Sequence, residues 1–171
     1  AVANTGSVVD RLRVTVQELP GAWVEVSPPE LVLVPGARGE ATIRIRPPRS
    51  PEAESGLHEF AVVITSAETG REEVVTGSVS VARFDDTQVT LHPQRGKKHF
   101  RVAVQNRGNG RLDFGLRGED DEGSLRYEFE QQVVTIPPGE RRELRLRVRP
   151  PRQFFGTQRV DRFRVLAEPG D

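Results

Sequence analysis

The stretch VPGARGEATIRIRPPR, residues 34–49, returns as PPGERRELRLRVRPPR, residues 137–152, with every position displaced by 103. Inside both copies apolar and polar residues alternate. Ile43 and Ile45 are interleaved with Thr42, Arg44 and Arg46, and Leu144, Leu146 and Val148 with Arg145, Arg147 and Arg149. Successive side chains of a strand face opposite ways, so a period of two predicts strands with one buried and one wet face. The Pro-Gly ahead of each strand predicts a tight turn. The Pro-Pro behind each ends sheet pairing, because proline has no N–H to donate.

Working outward at the same spacing, Leu31 and Leu33 fall on Val134 and Ile136, and Val24 and Val26 on Tyr127 and Phe129. Asn4-Thr5-Gly6 matches Asn106-Arg107-Gly108 at a spacing of 102, and Ala67-Glu68-Thr69-Gly70 matches Ala167-Glu168-Pro169-Gly170 at 100. Asn-x-Gly reads as a turn, since both residues tolerate positive φ. Leu12, Val14 and Val16, and Phe100, Val102 and Val104, alternate with polar neighbours, with Ala103 as the one small apolar break. Glycines (16) and prolines (13) punctuate these runs at short intervals, and no segment carries a helical period. The stretch Glu119–Gly123 reads as an acidic loop. A period near 100 residues means duplicated whole domains rather than a solenoid of short repeats. The expected fold is all-β: two tandem immunoglobulin-like antiparallel β-sandwiches of the seven-strand type, residues 1–84 and 85–171. A short linker near Phe84–Thr87 would make them a semi-rigid rod.

The two copies are cut out of phase. The second reaches its Asn-x-Gly only after Thr87–His92 and Lys97–Gln105, whereas the first reaches Asn4 almost at once. Conversely, the first continues past Gly70 into Glu72–Phe84, and the second stops at Asp171. Each module is therefore expected to lack terminal strands, the first at its start and the second at its end. Two explanations stay open: the natural polypeptide extends both ways, or strands from the same or another chain complete the sheets by β-augmentation.

The composition narrows the function classes. A chain of 171 residues suits one large or two small domains. There is no cysteine, which excludes disulfides, thiolate metal sites and thiol nucleophiles. There is no methionine either, so the chain is expected to be processed, trimmed or partial. No run approaches the ~18 apolar residues of a membrane span, and no signal peptide is visible, so membrane association is expected only through an anchor elsewhere. The formal net charge is +0; residues 1–84 carry 8 basic and 11 acidic side chains, residues 85–171 carry 17 and 14. That asymmetry is too small for a nucleic-acid partner.

The pattern Asn4-Thr5-Gly6, Val9-Asp10, Trp23-Val24, Ser27-Pro28-Pro29, Val34-Pro35-Gly36, Pro47-Pro48-Arg49-Ser50-Pro51 and Gly56 resembles the Ig-like repeats of bacterial membrane-associated proteins labelled "hydrolytic protein". It is also similar to the Ig-like modules that accompany NPCBM-type carbohydrate-binding domains. Asn106-Arg107-Gly108-Asn109 and Arg149-Pro150-Pro151-Arg152 fit the second repeat of the former group. The resemblance implies a bacterial cell envelope location, on a side of the membrane that it leaves open. It implies no catalytic motif that maps onto this sequence.

Candidate sites are few. His92 and His99 flank the turn at Gly96 and would ligate a metal only across a hairpin; with no carboxylate or thiol at ligand spacing, they and His58 read as surface histidines. Asp85-Asp86 and Glu119-Asp120-Asp121-Glu122 lack a calcium-loop pattern and read as solvated charge. No nucleophile elbow or phosphate-binding glycine loop is present, so no catalytic residue, metal or cofactor is expected. Arg145, Arg147 and Arg149 on one strand, and Arg162 and Arg164 on another, form a candidate basic face for an anionic partner; cross-strand pairing with glutamates is the favoured alternative. Trp23, aligned with Arg126, is a sugar-stacking platform if exposed and a core cap beside Val24 and Val26 if not, the second being favoured. The expected function is a non-catalytic structural spacer and protein-interaction module of a bacterial envelope protein or assembly; the alternative is an accessory carbohydrate-binding module beside a glycoside hydrolase.

Overall fold

The structure is a computed structural model that describes residues 1–96, 98–150 and 162–169. Lys97, Pro151, Arg152 and Gly170 of the sequence patterns lie outside the described residues. The chain is all-β with several antiparallel sheets and divides into two compact units. One comprises Ala1–Arg49 and Ser55–Ala82, the other Ser50–Glu54 and Arg83–Asp171. The division at Ala82/Arg83 falls two residues before the expected one at residue 84, and Ser50–Glu54 groups with the second unit.

In the first unit, β2 (Asp10–Gln17), β4 (Glu30–Leu33), β7 (Gly56–Ser66) and β8 (Glu72–Val81) form a sheet in the order β4-β2-β7-β8. Among the described residues, β3 (Val24–Ser27) pairs only with β6 (Thr42–Ile45), and β1 (Val2–Ala3) with β5 (Arg38–Gly39). In the second unit, β9 (Thr87–Pro93), β10 (His99–Asn106), β12 (Arg126–Phe129) and β14 (Arg141–Arg149) form a sheet in the order β12-β14-β10-β9. β11 (Leu112–Asp120), β13 (Val133–Ile136) and β15 (Phe163–Pro169) form the other, in the order β13-β11-β15. Val102, Val104, Leu144, Leu146 and Val148 from the first of these sheets meet Phe114, Leu116, Val134 and Ile136 from the second in one core, which makes this unit sandwich-like. The first unit's cluster is smaller: Leu12, Leu31 and Leu33, with Val2, Ala37, Ala41 and Ile64 packed against it.

The matched sequences pair alike. Val24↔Ile45 and Val26↔Ile43 become Tyr127↔Val148 and Phe129↔Leu146. Leu12↔Leu31 and Asp10↔Leu33 become Phe114↔Val134 and Leu112↔Ile136. Val2↔Gly39 and Ala3↔Arg38 become Val104↔Arg142 and Gln105↔Arg141, so β1 occupies the place of the last residues of β10.

The Ala67–Gly70 match needs correction. Leu12 pairs with Ser66 and Phe114 with Pro169, which places β7 on β15 at a spacing of 103, not 100. Ala167 lies within a strand opposite Leu116, whereas Ala67 is exposed beyond the end of β7. A shift of three residues is odd and would turn every side chain of the strand to the wrong face.

The turns behave as two different devices. Pro-Gly acts as expected: Gly36 and Gly139 have φ of 77° and 74°, and the Ala37 and Glu140 N–H groups donate back to Val34 O and Pro137 O. That is a type II turn, with proline and then glycine at its centre. Asn-x-Gly does not act through positive φ, since neither Gly6 nor Gly108 has one. Instead the asparagines are plugs, 4% and 2% exposed. Asn4 Nδ2 donates to Val8 O and Leu33 O, and its Oδ1 accepts from the Gly6 N–H. Asn106 does the same toward Gly110 O, Ile136 O and the Gly108 N–H. One side chain thus closes a loop and ties it to the end of a strand in the opposite sheet, satisfying buried carbonyls that would otherwise cost energy. Glycine is needed at 108 for space: an added Cβ would lie 2.5 Å from Phe84 O.

Candidate functional site

The five arginines of the predicted basic face are divided between sheets. Arg145, Arg147 and Arg149 project from β14, in the four-stranded sheet, while Arg164 lies on β15 in the three-stranded one and Arg162 just before it. Alternation places Arg145, Arg147, Arg149 and Arg164 on the exposed side of their own strands. It carried no information about which strands share a sheet.

Carboxylates interleave both groups. Arg149 Nε lies 2.9 Å from Glu128 Oε1 on β12, and Arg101 on β10 lies 3.3 Å from Glu143. Arg141 and then Arg101 hold the Glu143 carboxyl below the usual carboxylate range. Arg164 directs Nε and a terminal nitrogen to Glu119 Oε2, at 3.1 and 2.9 Å. These partners are largely exposed, so solvent screens the attraction and the ion pairs add little to stability. Arg145 and Arg147 share a cavity of about 540 Å³ with His99, Arg101, Glu128 and Glu130. Its lining is of mixed sign rather than basic.

Trp23 is 6% exposed, so its ring is not offered to solvent as a platform. It closes a short 3-10 turn, Gly21–Trp23, and meets His58 edge-on at 5.4 Å. In the second unit the buried residue just ahead of β12 is Leu125, 9% exposed, rather than the aligned and exposed Arg126. His92 stands opposite Arg101, and His99 opposite Arg147. Asp85 is paired with Arg83 at 2.9 Å. Among the described residues no group of three His, Cys, Asp or Glu side chains is placed to hold a metal.

The acidic loop expected at Glu119–Gly123 is partly strand, because β11 runs through Asp120. Asp120 organises the turn that follows. It accepts from the Ser124 N–H at 2.8 Å, the Tyr127 hydroxyl at 2.9 Å and the Leu125 N–H at 3.3 Å. Burial pushes its carboxyl up, but these hydrogen bonds outweigh burial and hold it below the ordinary value of 3.8.

Among the described residues of the second unit, β9 is the edge of one sheet and β15 the edge of the other. Between them opens a cavity of about 480 Å³, lined by Val89, Leu112, Phe114, Val165 and Ala167, with Arg83 and Arg111 among the polar residues at its wall. In the first unit the strand in the place of β15 is β7, and there β8 pairs along it over ten residues.

No family model matches the sequence, and no curated protein does. Solved structures give low-scoring similarities. One is a protein of unknown function from Porphyromonas gingivalis W83, 19% identical, TM-score 0.30, covering 85% of this chain and 71% of that one. The YadV chaperone is 10% identical, TM-score 0.31, covering 98% and 87%. The Pseudomonas aeruginosa CupB2 chaperone is 10% identical, TM-score 0.33, covering 98% and 89%. Likeness at this level assigns neither fold nor function to the chain.

Proposed function

We propose that the chain is a tandem pair of immunoglobulin-like sandwich modules serving as a non-catalytic spacer and protein-interaction element of a bacterial envelope protein or assembly. The observation that supports this reading is the recurrence of the same cross-strand pairs in both units. What the units share is structural: inward apolar pairs, a Pro-Gly turn and an asparagine plug. Surface side chains differ between them, as the exposed Thr42 against the exposed Arg145 illustrates. Duplication that keeps the scaffold and varies the surface suits a module whose work is to hold and present neighbours.

The test is binding. Cross-linking in a bacterial envelope extract, followed by titration with the captured protein in purified form, is expected to give saturable protein binding. Saturable binding to a sugar on a glycan array, without a protein partner, would overturn the reading in favour of carbohydrate recognition.

A further inference from the structure

We infer that the outer face of the β12-β14-β10-β9 sheet docks an acidic segment of a partner protein, whose carboxylates alternate along an extended stretch and meet Arg145 and Arg147. The inference rests on the protein-interaction reading above and names the partner's chemistry. Three observations carry it. First, the carboxylates of this face are already engaged. Glu128 lies 2.9 Å from Arg149, and Glu143 lies 2.8 Å from Arg141 and 3.3 Å from Arg101. Glu130 accepts from the backbone N–H of Arg145 at 3.2 Å. Among the described residues the exposed guanidinium groups of Arg145 and Arg147 are left without an ion-pair partner.

Second, the two cations are spaced and flanked in a way that selects a protein. They are successive outward residues of one strand, so they stand about 7 Å apart. An extended segment also shows every second side chain on one face, and its carboxylates can then meet both guanidinium forks. Across the 540 Å³ cavity the sign of the face changes. Glu128 and Glu130 stand on the β12 side of the arginines, His99 and Arg101 on the β10 side. A uniform polyanion is drawn to β14 and repelled by β12. A protein segment sets acids over the arginines and neutral or basic residues over the glutamates.

Third, the matched strands of the first unit are built without this pair. In the places of Arg145 and Glu130 stand Thr42 and Ser27, which face each other uncharged. In the place of Arg147 stands Arg44, and it lies 3.8 Å from Glu25, the counterpart of Glu128. In the second unit Glu128 turns to Arg149 instead. The same strand pairing therefore forms without two uncommitted cations, so the fold does not require them.

The probe is the acetylated and amidated peptide TDTDT, titrated into the full chain while the side-chain Nε–H signals of Arg145 and Arg147 are followed by NMR. The comparison peptide is TDDTT, equal in composition and charge but with its carboxylates on opposite faces when extended. The expected result is saturable shifts of both signals with TDTDT, and binding of TDDTT weaker by about threefold or more. Arg145→Gln combined with Arg147→Gln should weaken TDTDT binding about tenfold or more, while Arg38→Gln, at an exposed cation of the first unit, should change it by less than about twofold. Equal binding of the two peptides would overturn the inference, as would full binding by the double variant or no binding at all. The peptide comparison is made on the native chain and so decides independently of any variant's folding. Tighter binding of polyphosphate than of TDTDT at the same two arginines would overturn it in favour of a polyanionic polymer. Failure of the peptides leaves the spacer reading standing, since a protein can dock on another face, whereas a glycan ligand would remove that reading whatever the peptides do.

Discussion

β6 and β14 have matching sequences and matching partners, yet they sit in different surroundings. Ile43 and Ile45 face Val26 and Val24 across β3; Leu146 and Val148 face Phe129 and Tyr127 across β12. Leu146 and Val148 are 1% and 5% exposed, while Ile43 and Ile45 are only half-buried. The difference lies on the other side of the strand. β14 continues into β10 and β9, but β6 ends its sheet among the described residues. An alternating pattern thus specifies which side chains point inward, and the neighbouring strands decide how far inward that is.

The comparison is open to attack by mutation. Because the chain has two units, each is best followed through amide exchange of its own strands in denaturant rather than by a single transition. The largest contrast should come from the matched pair of core truncations. Leu146→Ala is expected to destabilise the second unit by about 3 kcal/mol, and Ile43→Ala the first by about 1 kcal/mol. Equal costs would mean that the neighbouring strands do not set the worth of these positions.

The plugs should break the contrast from the other direction, since both are buried and bonded alike. Asn106→Ala and Asn4→Ala are each expected to cost about 2 kcal/mol, because two carbonyls lose their buried donor. A much cheaper Asn4 would show that the first unit lets water reach that loop. The glycines behind the plugs sharpen the point. Gly108→Ala should cost about 1–2 kcal/mol by overpacking. Gly6→Ala should cost less, since its Cβ would meet only the Asn4 side-chain oxygen, at 3.1 Å.

Acid should produce the smallest effect. The Asp120 carboxyl is held below its ordinary value of 3.8, so its contribution is complete above that pH and is lost as pH falls through the lower, folded-state value. Asp120→Asn is expected to remove this part of the acid limb in the second unit. Exchange at the Ser124 and Leu125 amides, measured between pH 5 and pH 2, checks it. An unchanged profile would show that the loop is organised without the charge.

The sequence made the strands and their matched pairs legible, because alternation and spacing are local signals repeated twice. The match at spacing 100 failed for a related reason. Ala-Glu-x-Gly is short and common in composition, and only the Leu12↔Ser66 and Phe114↔Pro169 register corrects it. The asparagines were visible, but their role was not, since Leu33 and Ile136 lie 29 and 30 residues away across the fold. The arginines were assigned to one surface because a strand's faces can be read from its own residues and its sheet membership cannot.

The change of spacing from 102 to 103 has a use in engineering. Val16 and Gly118 are 102 apart and Val24 and Tyr127 are 103, so the second unit holds one extra residue between Gly118 and Tyr127. Every strand pair on either side keeps its register. That segment, the end of β11 and the turn after it, is where the molecule has already accepted added length. Asp121, Glu122 and Gly123 there are exposed, in the loop that Asp120 closes by accepting from the Ser124 N–H. An epitope or fluorophore inserted at those three positions should report on the second unit without moving a single strand.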